Sequence, residues 1–157
     1  MTLQNVAVAR TQMLIRKPVA EVFEAFVDPA VTTRFWFTHS TGRLEPGTEV
    51  RWDWAMYGAS APVSVKAVEP NKRILIEWPD ENGAPCPVEW CFDDRGDGTT
   101  FVTITNGGFT GSDDQVVKQA IDCMGGFTWV LAGLKALLEH GVELNLVADH
   151  FPDAHKQ

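Results

Sequence analysis

The sequence predicts an α+β fold in which an antiparallel sheet packs against one long C-terminal helix. Two patterns predict it. The middle of the chain alternates apolar and polar residues in strand after strand, and residues 112–140 repeat apolar side chains at three- and four-residue spacing. The connections between the strands are short, so the sheet is an antiparallel meander; parallel strands would need crossover helices.

The elements follow in order. Val6 to Ile15 reads as a strand on Val6, Val8, Met13 and Ile15. Pro18 suits a first helical turn, and Val19, Val22, Phe23, Phe26 and Val27 keep helical spacing until Asp28-Pro29 stops it. Ala30 to Phe37 reads as a second short helix ending in Phe35-Trp36-Phe37. Val50, Trp52, Trp54 and Met56 alternate with Glu49, Arg51 and Asp53, the signature of a sheet with one buried face. Val63, Val65 and Ala67 repeat the pattern. Turns at Glu69-Pro70-Asn71-Lys72 and at 79–83 bracket a strand over Arg73 to Trp78. Val88, Trp90 and Phe92 mark the next strand, and Thr99 to Thr105 the last, so that six strands are expected in all.

The final helix carries its own limits. Ser112 with Gln115 fits a capping box, Asp113 and Asp114 suit the positive end of the helix dipole, and Gly141 fits the C-terminal cap. The stripe Val117, Ala120, Met124, Phe127, Leu131, Leu134 and Leu138 is widened by Val116, Cys123, Val130 and Leu137. Val117, Met124, Phe127, Leu131 and Leu134 are expected to face the sheet. Gly125, Gly126 and Gly133 interrupt this helix, each at about 0.8–1 kcal/mol relative to Ala. Either the backbone packs closely there or the helix bends around contents.

With 157 residues, one domain over 1–157 is expected, with a polar tail from about residue 142. The hydrophobic share of 45% suffices for a core. A net charge of −8 argues against nucleic acid and anionic membranes as partners. No stretch reads as approaching the roughly 20 apolar residues of a membrane helix, and Met1 to Gln12 lacks a signal-peptide core. Cys86, Cys91 and Cys123 are odd in number and form no C-x-x-C pair, which fits reduced thiols and a cytoplasmic location.

Several short segments together resemble a known family. Ile15 to Phe37, with Pro18, Glu21-Val22-Phe23, Asp28-Pro29 and Phe35-Trp36, is similar to the opening of the START-like (SRPBCC) superfamily, in the branch of the activator of heat-shock-protein-90 ATPase. Glu45-Pro46-Gly47, Val68-Glu69-Pro70 with Arg73-Ile74, Gly98-Thr99-Thr100, and Gly125-Gly126-Phe127 through Leu131, Leu134 and Leu138-Glu139 stand in that family's order. Phe127 takes a place where the family more often has Trp, and the usual Gly entering the third strand is absent near Pro62-Val63. The resemblance implies a helix-grip fold, a curved sheet around the long helix with an apolar cavity between them. It also implies functions as different as lipid carriage, hormone binding, aromatic cyclisation and chaperone activation, so the site must decide among them.

Catalytic signatures are scarce. There is no G-x-S-x-G, H-E-x-x-H, phosphate-binding loop or G-x-G-x-x-G, and no catalytic residue, metal site or cofactor is predicted. Asp149, His150, Asp153 and His155 have metal-ligand types without a recognised spacing. Glu77 and Glu89 fall opposite the apolar faces of their strands and are read as solvated. The aromatic residues speak more clearly. Six Trp in the chain give large rigid surfaces suited either to an aromatic core or to an apolar pocket. The pocket reading places Trp36, Trp52, Trp54, Met56, Trp90, Met124 and Phe127 around a small apolar ligand, with His39 and Cys123 as its polar neighbours. A carrier or sensor is the leading function. A cyclase-like or hydrolase-like enzyme in the same cavity and a chaperone activator with a chaperone partner are the alternatives.

Overall fold

The structure, a computed structural model, describes residues 7–153. Val6, expected in the first strand, lies outside the described residues. Strand β1 (Ala9–Ile15) leads into helices α1 (Val19–Val27) and α2 (Pro29–Thr32). Asp28 serves both helices. Its N–H closes α1 on the Glu24 carbonyl, and its Oδ1 accepts the Ala30 N–H at 3.0 Å at the start of α2. The second helix is shorter than expected. The Thr32 hydroxyl turns back to the carbonyls of Ala25 and Asp28 at 2.6 and 3.0 Å, and Phe35, Trp36 and Phe37 leave the helix to bury their rings.

The sheet continues with β2 (His39–Ser40), β3 (Glu49–Trp54), β4 (Ala59–Glu69), β5 (Arg73–Pro79), β6 (Pro85–Asp94) and β7 (Thr100–Asn106). Every pairing is antiparallel, in the order β1-β7-β6-β5-β4-β3-β2. Among the described residues seven strands therefore stand where six were expected. The additional one, β2, only pairs His39 with Asp53 and Ser40 with Trp52, too short to leave a period in the sequence. A register shift between Val65 and Ala67 marks a bulge in β4, a device that bends a strand.

Helix α3 (Asp113–His140) is one unbroken helix, as expected. Its capping box is formed: the Gln115 N–H donates to Ser112 Oγ at 3.2 Å, and the Ser112 N–H donates to Gln115 Oε1 at 2.9 Å. Phe127, Leu131 and Leu134 face the sheet and are buried, but Val117 and Met124 are 38% and 46% exposed. The reason is local. Val116 packs with Ala9, Cys86 and Phe109 in a small second cluster, and this turns the N-terminal half of α3 so that Val116, Gln119 and Cys123 point inward. One residue of phase is about 100° of rotation, enough to carry Val117 and Met124 to the outside.

By length and composition α3 also qualifies as a helix able to cross a membrane, with mean hydropathy 1.4, contrary to the reading that no segment did so. Its Gly, Ala and Thr residues keep charge low without forming an unbroken apolar run. Its large side chains are instead part of the core: Phe127, Val130, Leu131, Leu134 and Leu137 pack with Ile74, Ile76, Val88, Trp90 and Ile104 of the sheet. Phe23 and Phe26 of α1 close the other end against Phe92 and Trp90, with centroids 5.2 and 5.9 Å apart.

Candidate functional site

After α3 the chain does not continue as a polar tail. It turns through Asn145 (φ 56) into a short helix, α4 (Leu146–Asp149), which sets Val147 and His150 against the open end of the helix-sheet interface. Between α3, α4 and the β3–β5 region lies a cavity of about 280 Å³. Its walls are Trp36, Trp54, Trp78 and Phe127. Trp78 stacks on Phe127 with centroids 5.8 Å apart and planes at 23°, while Trp36 meets Trp54 and Phe127 edge-on at 6.2 and 5.7 Å. Cys123, Gly126 and Val130 supply the α3 side, and Tyr57, Val147 and His150 the mouth.

The glycines of α3 divide between the two readings. A Cβ on Gly133 would stand 3.4 Å from the Phe35 carbonyl oxygen, so that turn is held close to its neighbour. A Cβ on Gly126 would meet nothing within 4 Å, and its missing side chain leaves the cavity open.

Four of the expected pocket residues, Trp36, Trp54, Cys123 and Phe127, meet at this cavity. Trp52 and Trp90, each 1% exposed, lie one layer deeper among packed rings. Met56 is half-buried in a 3₁₀ turn (Ala55–Tyr57) and does not line the cavity, and Met124 points outward. His39 stands away from it. Its Nδ1 lies 3.0 Å from Asp53 Oδ2, and Asp53 belongs to the β3 face opposite Val50 and Trp52. There the Ser60 hydroxyl, at 2.5 Å, holds the Asp53 carboxyl below its ordinary value, aided by His39 and Arg51.

Trp78, Tyr57, Gly126, Val130, Val147 and His150 were not expected at the site. Trp78 could have been found, because it alternates with Ile74 and Ile76; His150 could not, because nothing in a polar segment announces a return to the core.

The cavity is poor in chemistry. Burial pushes the Cys123 thiol up to about 12, so it stays protonated at neutral pH, and burial likewise moves Cys86 to about 11. Glu77 and Glu89 lie on the outer face, in ion pairs with Lys66 at 3.8 Å and Arg73 at 2.5 Å. Among the described residues no group of three or more His, Cys, Asp or Glu could hold a metal ion, and His155 lies outside them.

The family profile described as Activator of Hsp90 ATPase homolog 1-like protein matches residues 16–139. The chain belongs to this family. A protein of known crystal structure from Staphylococcus saprophyticus shares 35% identity and superposes with a TM-score of 0.74, covering 87% of this chain and 95% of its own. DynU16, a putative protein in the dynemicin biosynthetic locus, shares 25% identity at TM-score 0.74, over 87% of this chain and 49% of that one. The Aha1 dimer from Colwellia psychrerythraea, at 16% identity and TM-score 0.72 over 85% and 97% of the two chains, shares the fold. No curated protein matches the sequence. The family match ends within α3, so Val147 and His150 lie beyond it.

Proposed function

We propose that this protein binds a small hydrophobic or aromatic ligand in the cavity between α3, α4 and the sheet, as a carrier or sensor. The observation behind this reading is the wall of Trp36, Trp54, Trp78 and Phe127 around an open volume of about 280 Å³. Flat π-faces in offset and edge-on arrangements suit an aromatic guest, and the volume lies near the low end of small-molecule sites. DynU16, a relative encoded in a biosynthetic locus, fits a protein that handles small molecules.

An enzyme in the same cavity would need a polar pair within it. Among the described residues that line it, Tyr57 and His150, with Oη and Nδ1 3.4 Å apart, are the one candidate. Tyr57 is committed to the Val147 carbonyl and burial raises its pKa, which favours a hydrogen-bonding role over proton abstraction.

Three free cysteines support a reducing, cytoplasmic setting, and the acidic charge argues against nucleic acid and membrane partners. Only the family's name suggests a chaperone partner; a pull-down with an ATPase assay would reveal one.

The binding reading is tested by titrating fatty acids, sterols and polycyclic aromatics against intrinsic tryptophan fluorescence, with a native mass spectrum of freshly purified protein beside it. A saturable shift from at least one class is expected; silence from all of them, with no retained ligand, would refute it.

A further inference from the structure

We propose that the ligand of this cavity is a neutral molecule bearing a hydroxyl group, which His150 and Tyr57 recognise at the mouth. The inference rests on the reading of the cavity as a ligand site and narrows the class of ligand. The deep walls are apolar, so the polar contacts are concentrated where Tyr57, from the turn after β3, meets His150, at the end of α4.

The hydrogen bonds decide which of these atoms can still donate. His150 Nδ1 lies 3.1 Å from the Leu146 carbonyl oxygen, which only accepts, so in the neutral imidazole Nδ1 carries the hydrogen. Nε2 is then an acceptor, and it bonds no described residue. Tyr57 directs its one hydrogen to the Val147 carbonyl, which leaves its oxygen able only to accept. The mouth therefore presents an imidazole nitrogen and a phenol lone pair, and its missing partner is a donor.

Among the described residues no Lys or Arg lines the cavity, and the chain carries a net charge of −8. A carboxylate entering here would lose its hydration and gain no cation in return. A hydroxyl gives one hydrogen and stays neutral. On an aromatic body it also matches the walls, where rings meet face-to-face or edge-on.

Calorimetric titration of the full chain with naphthalene, 2-naphthol and 2-naphthoate isolates the polar group, because the ring system is constant. The expected result is 2-naphthol about three- to tenfold tighter than naphthalene, the worth of one neutral hydrogen bond, and 2-naphthoate weaker than either. In His150→Phe most of the preference for 2-naphthol over naphthalene disappears, with a wild-type circular-dichroism spectrum and thermal melt showing that the variant is folded. Naphthalene binding the wild type as tightly as 2-naphthol, 2-naphthoate binding more tightly than 2-naphthol, or a preference unchanged in His150→Phe would each overturn the hydroxyl inference and leave the cavity reading standing. If none of the three probes binds, the hydroxyl inference falls, and the cavity reading is decided separately by the fatty-acid and sterol titrations and the native mass spectrum.

Discussion

Trp52 and Phe37 stack nearly parallel, with ring centroids 4.7 Å apart and planes at 18°. Two positions along β3, Trp54 meets the same Phe37 edge-on at 6.3 Å and turns part of its surface to the cavity. The two indoles therefore do different work. Trp52→Ala should cost about 3–5 kcal/mol, as for a filled core, while Trp54→Ala should cost about 1–2 kcal/mol, since fewer packed atoms lose their contacts. Ligand affinity should fall in Trp54→Ala. Urea denaturation of both variants checks the first claim, and equal losses would mean that Trp54 is as tightly packed as Trp52.

The cavity should be closable from α3. With nothing within 4 Å of a Cβ on Gly126, Gly126→Leu should fold normally, fill the space and abolish any ligand-induced change in tryptophan fluorescence. Gly125→Leu is the control, for Gly125 is exposed and equally uncrowded, and its response should persist. Gly133→Leu should instead destabilise the chain by about 1–3 kcal/mol, because the Phe35 backbone stands against it.

Asp80 fixes the far side of the same region. Its Oδ1 accepts the N–H groups of Asn82 and Ala84 at 2.9 and 3.0 Å, and its Oδ2 accepts the Thr110 N–H and hydroxyl at 2.9 and 2.7 Å. Partial burial pushes this carboxyl upward, but those four donors outweigh it and hold it below its ordinary value. A carboxylate lowered in the folded state stabilises folding above its unfolded pKa of about 3.9, and the contribution fades as pH falls through the lower folded value. Asp80→Asn should cost about 1–2 kcal/mol at neutral pH and flatten the loss of stability below about pH 4. Thermal melts from pH 2 to 7 read both effects; a parallel acid limb in the variant would place the sensitivity elsewhere.

The fold was legible because its signals are local. Alternation at Val50, Trp52 and Trp54 and the capping box at Ser112 and Gln115 report on neighbours a few residues away, and each element formed where they stand. The site was legible only in part. Trp54 and Phe127 follow from strand and helix faces, whereas Trp36 reaches the cavity from the segment after α2, beyond the helix expected to carry it. The rotation of α3 that brings Cys123 in and turns Met124 out depends on Val116 meeting Ala9, Cys86 and Phe109, contacts made at long range. The return of α4 to the cavity involves Asn145 in a left-handed conformation, a tyrosine hydroxyl and the packing of Val147 on the core, none of which has a periodic signature.

That hydroxyl makes the last prediction. Tyr57 Oη donates to the Val147 carbonyl across the cavity mouth, and burial keeps the phenol protonated well above neutral pH. Within α4 the N–H groups of Asp149 and His150 bond the carbonyls of Asn145 and Leu146 at 2.9 and 3.0 Å, a single turn too short to persist unaided. Tyr57→Phe removes the tie and keeps the ring, so the whole chain should lose only about 1 kcal/mol. The local effect should be larger: amide exchange at Asp149 and His150 should accelerate several-fold while the core strands stay protected. If exchange there is unchanged, the packing of Val147 rather than the hydroxyl holds α4 in place, and the mouth closes by apolar contact alone.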